Sequence, residues 1–336
     1  MGYWTKHVFI GLIILICSGA STGQSDGQYS PFNNFFTPPD TLNKKRFNLA
    51  LTSSSLIYTG FSIGLYNTWY KQYPQSKFHV FNDWNEWNNI DKAGHLYTAY
   101  FQGVLTYKGA RWTGLSEDNS ILVGAICGTL FQSTIEVMDG FSDNWGFSIG
   151  DMAANVAGVG AFVVQQKAWG EQRINLKVSS WPKRYSDQDI FSVSGESVTN
   201  LEQRAAELYG SGYAESFLKD YNAQTIWASF NLRSFMHEDS AIPDWLNVAV
   251  GYGSENMFGG FENEWLLEND DRVVLDTNVY PRHKQYYLGL DIDLTRIKVK
   301  SPFLRSVLSI LNIFKLPMPA IEYNSLGKFR VHALSK

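Results

Sequence analysis

The chain has 336 residues, 28 basic against 32 acidic side chains, 44% hydrophobic and 15% aromatic content, and only 18% charged content. So few charges beside so many rings exclude intrinsic disorder, and a formal charge of -4 with no basic run beyond Lys44-Lys45-Arg46 excludes a nucleic-acid binder. No phosphate-cradling glycine-rich loop is present, so no nucleotide partner is expected, and a mean hydropathy of -0.20 argues against a polytopic transporter.

At the N-terminus Lys6 precedes the apolar run Val8 to Ile16, and Ser18-Gly19-Ala20-Ser21-Thr22-Gly23 follows. These are the three parts of a secretory signal, assigned to residues 1–23. The run is about nine residues, far short of the roughly 20 a spanning helix needs, so cleavage and export to the cell envelope (periplasm or outer membrane) are expected. Cys17 ends the run as a lipid acceptor would, but Ile16 stands before it where lipidation signals carry a small residue, which argues against that anchor. With Cys17 removed only Cys127 remains, so no internal disulfide is expected.

Residues 24–45, rich in Ser, Asn, Pro and Gly, read as an extended leader. Four helices then follow, from about Arg46 to Gln72, Asp91 to Lys108, Asn119 to Met138 and Ile149 to Trp169, giving a helical bundle over 46–170. Gly124 and Gly128 in the third, and Ala154, Gly158 and Ala161 in the fourth, would let helix backbones approach closely. After Gly170 the period changes to two: residues 173–179, 226–232, 246–252 and 286–294 alternate as half-buried strands do, with Asp291 and Asp293 opposite the apolar side of the last. A phase slip to Ile297 and Val299 predicts a bulge or a corner between two strands. Short helices are expected at Leu201–Tyr209 and Tyr213–Tyr221. Ser301-Pro302 opens an amphipathic helix whose stripe runs from Phe303 to Phe314, to pack on the sheet or to lie in a membrane interface, and Lys328 to Leu334 reads as a last strand. The fold class is therefore α+β: an N-terminal four-helix bundle followed by a mainly antiparallel β domain, 171–336, with an amphipathic C-terminal helix.

Chemistry is expected where polar residues interrupt apolar helices. Asp91 and His95 stand four apart with Lys92 beside them, Glu136 and Asp139 three apart, and Asp151 and Asn155 four apart, each pair on one helix face. Ser142 and Ser148 flank the loop between the last two pairs. Each group also has a structural reading: Asp91 as an N-cap, Ser148 with Asp151 as a capping box, and Asp139-Gly140 as a turn. His95, Glu136 and Asn155 lie deeper in apolar segments, where an unpaired polar group costs about 1–3 kcal/mol, so they are expected to partner each other. The resulting network either fixes helix register or works as a site, with His95, Glu136 and Asp151 as catalytic or divalent-metal candidates and Asp91, Lys92, Asp139, Ser142, Ser148 and Asn155 around them. One histidine is too few for structural zinc, and no Glu-x-x-His, His-Glu-x-x-His, Gly-x-Ser-x-Gly or Cys/His pairing is present.

Asp91-Lys92-x-x-His95-x-Tyr97, Glu136-x-x-Asp139-Gly140-Phe141-Ser142, Trp145-Gly146-Phe147-Ser148 and Asp151-x-x-x-Asn155-x-x-Gly158 resemble the signature of the YfiM-like family of predicted periplasmic lipoproteins, a domain of unknown function, over about residues 85–165. More distantly the same order of motifs resembles VanZ-like membrane proteins. The resemblance implies an envelope location and no particular reaction. Two functional classes stay open. One is a membrane-associated protein that binds lipid, glycan or a partner while its cluster fixes helix register; the other is a metal- or acid/base-dependent hydrolase of an envelope lipid or glycan. Substrate and oligomeric state are not legible in the sequence.

Overall fold

The computed structural model describes residues 31–71, 74–237 and 239–335; the expected signal with Cys17, and the start of the leader, lie outside the described residues. The described part of the leader is anchored rather than extended. It turns through a short helix α1, Pro31–Phe35, because its rings find partners: Phe35 packs on Trp112, and Phe32 and Phe36 on Phe303.

Helix α2, Lys44–Leu65, starts at Asn43, whose side chain accepts from the Lys45 and Arg46 N–H groups, and runs on through a π turn at Tyr66–Tyr70. Strand β1, Val80–Phe81, precedes α3, Ile90–Trp112, and α4, Glu117–Asp139; strand β2, Phe147–Ser148, pairs in parallel with β1 and leads into α5, Ile149–Trp169. The closely packed unit is α3, α4 and α5. Their glycines set the separation: a Cβ on Gly124 would lie 2.6 Å from the Gly103 carbonyl oxygen, and one on Gly158 would lie 2.2 Å from that of Leu96. Helix α2 buries no residue and rests on α4 through Tyr58, whose hydroxyl lies 2.7 Å from Thr134 Oγ1, and through Phe61 on Phe131. The helical core is thus three helices with a fourth laid on its outside. Cys127, in α4, is half-buried and free, and burial raises its thiol pKa.

Beyond Gly170, β3 (Ile174–Ser180) opens the sheet; β4 (Ile190–Phe191) and β5 (Val198–Thr199) form a small hairpin before helices α6 (Leu201–Tyr209) and α7 (Tyr213–Lys219). Then come β6 (Gln224–Asn231), β7 (Leu246–Glu255), the short pair β8 (Glu264–Leu266) and β9 (Arg272–Val274), β10 (His283–Ile292), helix α8 (Pro302–Leu311), β11 (Ala320–Asn324) and β12 (Phe329–His332). The main sheet has six antiparallel strands in the order β12-β11-β10-β7-β6-β3. The phase slip after β10 is not a bulge between strands. Asp293 accepts from Thr295 N–H and starts a 3₁₀ turn at Leu294–Arg296, which takes the chain off the sheet. Helix α8, capped by Ser301, lies against α3, where Ile310 faces Phe101, Val104 and Leu105 across a small cavity, and the chain after it pairs beside β3 through Val178 and Lys315.

The sheet has its polar side inward. One register row reads Lys177, Trp227, Gly251, Tyr287, Glu322 across β3 to β11, and this face is buried. Lys177 and Asp291 pair at 2.7 Å with both side chains 0% exposed, Ser229 donates to Asp291, Asn247 donates to Ser229, and Gln285 donates to Glu322. Residues 312–316 close over it: Lys177 donates to Asn312 Oδ1, Leu316 N–H to Asp291, and the Lys315 amine sits 4.5 Å above the Trp227 ring. The apolar side faces outward. Its β3–β6 half is covered by α3, where Ile90 meets Val178, Ile226 and Met257, and its other half is exposed.

Candidate functional site

The site forms where α3 begins, between the ends of α4 and α5. Four residues before α3 take left-handed backbone angles, Asn85, Trp87, Asn88 and Asn89, at φ of 75°, 47°, 54° and 65°. Asparagine tolerates that region, whereas for tryptophan it is strained. The strain is held by β7 and the loop after it: Trp87 N–H donates to the Gly260 carbonyl, Asn88 Nδ2 to Ser254 Oγ, and Tyr252 OH to the Asn88 carbonyl. Asn89 is the capping position and makes no side-chain cap, so Asp91 is released from the capping role open to it in sequence. Asp91 Oδ1 accepts instead from Tyr221 OH at 2.5 Å.

The expected capping box at Ser148 is half made, and the missing half is instructive. Ser148 Oγ accepts from Asp151 N–H at 2.9 Å, but the Ser148 N–H is taken by Glu136 Oε2 at 3.3 Å, which leaves the Asp151 carboxylate free to turn into the cluster. Lys92 lies between Asp83 at 2.9 Å and Asp151 at 3.4 Å, and Ser148 Oγ donates to Asp83 Oδ1 at 2.7 Å. His95 Nδ1 meets Asn155 Oδ1 at 3.1 Å. Because that oxygen only accepts, Nδ1 carries a proton, and Nε2 faces Glu136 Oε1 at 3.6 Å and Asp91 Oδ2 at 4.0 Å. Asp139 accepts from Tyr70 OH at 2.6 Å. Ser142 Oγ, fully buried, has no hydrogen-bond partner among the described residues.

Carboxylates outnumber cations here, and the electrostatics record it. Burial pushes Glu136 up to about 7, Asp151 up to about 8 and Asp139 up to about 6, against the pull of His95 on each. Burial lowers the His95 pKa, but Asp91, Asp151 and Glu136 together outweigh it and the net shift is upward. Glu86, before α3, is raised to about 7 by burial and by Asp91 and Asp83. Two buried polar atoms of this cluster have no hydrogen bond among the described residues: Asn155 Nδ2, and Asp151 Oδ1, which meets only the Lys92 ammonium at 3.4 Å. One ligand atom each from Asp91, His95 and Asp151 lies within 4.8 Å of the others, near enough to converge on one cation with a small movement of the side chains.

The structure therefore gathers Asp91, Lys92, His95, Glu136, Ser148, Asp151 and Asn155, and sets Asp139 on Tyr70 at the edge. The Ser142 hydroxyl makes no hydrogen bond to the cluster, and only its backbone N–H reaches it, at the Asp139 carbonyl. Sequence reasoning missed Asp83, Tyr70 and Tyr221. Asp83 carries a local signal, a lone carboxylate in Asn82-Asp83-Trp84-Asn85 just ahead of the helix; Tyr221 comes from the far half of the chain, where no spacing points to it.

Residues 80–167 match the model of a family described as predicted periplasmic lipoprotein (DUF2279). The segment expected to carry the family likeness, about 85–165, lies inside that match, which supports export to the envelope. No curated protein and no solved structure matches the chain.

Proposed function

We propose that this chain is a membrane-associated envelope protein whose helical cluster binds a divalent cation through Asp91, His95 and Asp151, with Asn155 holding the imidazole as ligand. The observation that carries the reading is Asn155 Nδ2, buried and without a hydrogen bond among the described residues, beside three converging donors of which Asp151 Oδ1 meets only the Lys92 ammonium at 3.4 Å. Asp91, His95 and Asp151 would hold the cation, and a water or ligand oxygen there would answer Asn155 Nδ2. One imidazole with two carboxylates suits Mn²⁺ or Zn²⁺ in an open site rather than a closed structural one. Membrane association is supported by α4, which by length and composition could cross a bilayer and turns Leu122, Ile126 and Leu130 outward at helical spacing.

A second reading, a hydrolase of an envelope lipid or glycan, is favoured by one distance. Glu136 Oε1 stands 3.6 Å from His95 Nε2, positioned to accept a proton beside the cation donors. A bound cation would supply Lewis-acid chemistry there. The test is calorimetric titration of the purified chain with Mn²⁺ and Zn²⁺. One cation per chain is expected, with affinity lost in His95→Ala and Asp151→Asn and kept in Glu136→Gln. No binding of either metal, or equal binding by His95→Ala, overturns the cation centre. Loss of an envelope phenotype in Glu136→Gln, with metal and melting temperature retained, separates the hydrolase from a cation-stabilised scaffold.

A further inference from the structure

We infer that the exposed outer face of β7, β10, β11 and β12 rests against the hydrocarbon of a lipid bilayer carrying anionic head groups. This deepens the membrane association proposed above by naming the surface and its chemistry, and it rests on that reading.

The argument starts from the register. Apolar rows run across the outer face, the last of them Leu246 beside Ile292. Tyr252, Tyr286, Tyr323 and Phe329 form the first, Val250, Leu288, Ile321 and Val331 the second, and Val248 with Leu290 the third. The aromatic row holds two ring pairs side by side in register, Tyr252 packed on Tyr286 at 5.7 Å and Tyr323 on Phe329 at 4.8 Å between centroids. Leu288 is 54% exposed and Val331 81%. An apolar stretch of this extent on the open side of a sheet whose buried side is polar and hydrogen-bonded is the arrangement of a sheet in lipid, not in water.

The ends of the face choose the occupant. Beyond the aromatic row the outer-face position of β10 is Lys284, and Lys328 stands in the turn between β11 and β12. No outer-face position of these four strands carries a carboxylate. The order is thus cation, then aromatic ring, then aliphatic side chain, which is the order of depth from anionic head group through interface to hydrocarbon. A second copy of this chain would offer the same cations to the same cations, and so is the poorer complement.

The experiment uses the full chain in a Cys127→Ser background, with Leu288→Cys, Ile321→Cys or the control Lys298→Cys labelled by an environment-sensitive fluorophore. Vesicles of phosphatidylethanolamine and phosphatidylglycerol, with and without brominated acyl chains, are the probe. Co-flotation is expected, with blue-shifted emission and bromine quenching at positions 288 and 321 and neither at 298. Leu288→Asp with Ile321→Asp should cut co-flotation by about tenfold, a charge on a lipid face being worth that much or more. Co-flotation with both labels still in water overturns the sheet face and leaves membrane association through the helices. Labels shielded before vesicles are added, with a dimer mass in solution, overturn it in favour of a second copy. Absence of co-flotation overturns this inference and the membrane reading together.

Discussion

Ser148 ties three segments together: its hydroxyl caps α5 through Asp151 N–H and donates to Asp83, while its backbone N–H is held by Glu136 from α4. Ser148→Ala loses the cap and strips a hydrogen bond from a buried carboxylate, so a loss of about 1–3 kcal/mol is expected in the denaturant midpoint. A change within a few tenths would mean that Lys92 alone satisfies Asp83. Residue by residue, the sequence made His95, Glu136 and Asn155 legible because each interrupts an apolar stretch, and a buried polar group must be answered. It could not separate a capping Asp91 from a working one, since both readings need only a carboxylate near a helix start. Backbone decided that, through left-handed Asn89, and no side-chain pattern announces it.

At the scale of elements, helix α5 carries its own internal control. Gly158 faces α3 so closely that a Cβ would meet the Leu96 carbonyl at 2.2 Å, whereas Gly160, in the same helix, has open space. Gly158→Ala must push backbones apart and is expected to cost about 1–3 kcal/mol, while Gly160→Ala should stabilise by up to about 1 kcal/mol through helix propensity. Thermal melts of the two variants check this, and like signs would mean that α3 and α5 do not touch there. Helices α3 to α5 were legible because period and length agree, with a side-chain cap to mark the start of α4 and α5 but none at α3. The main strands β3, β6, β7 and β10 were legible from alternation alone. Strand β11 was not, since it follows Pro317 and Pro319 and buries Glu322 while exposing Ile321, the reverse of the usual pattern. For the same reason alternation predicted which residues share a face but not which face turns to water. The pairing of β1 with β2 rests on two residues each and leaves no local trace.

Over the whole molecule, buried titratable groups impose a stability profile that runs against the common one. Glu86, Glu136, Asp139 and Asp151 hold their protons to between about 6 and about 8 when folded. Unfolded, such carboxyls release them near pH 4, so from about pH 4 to pH 8 the native state binds more protons and stability falls as pH rises. Lys315 and Lys108 act oppositely. Burial lowers both amines to about 8, so above that value the unfolded chain is the one that keeps the proton, and stability climbs with pH until tyrosines begin to ionise in the unfolded state near pH 10. The metal-free chain should therefore melt highest near pH 5, lowest near pH 8, and recover in part by pH 9. Saturating Mn²⁺ should flatten the descent, because a cation that binds the ionised carboxylates stabilises the state which the rising pH otherwise penalises. Calorimetric melts at each pH, with and without the metal, measure both effects. A melting temperature that rises steadily from pH 5 to pH 8 without metal would show that the carboxylates give up their protons early, with Lys92 and His95 sufficient to hold them.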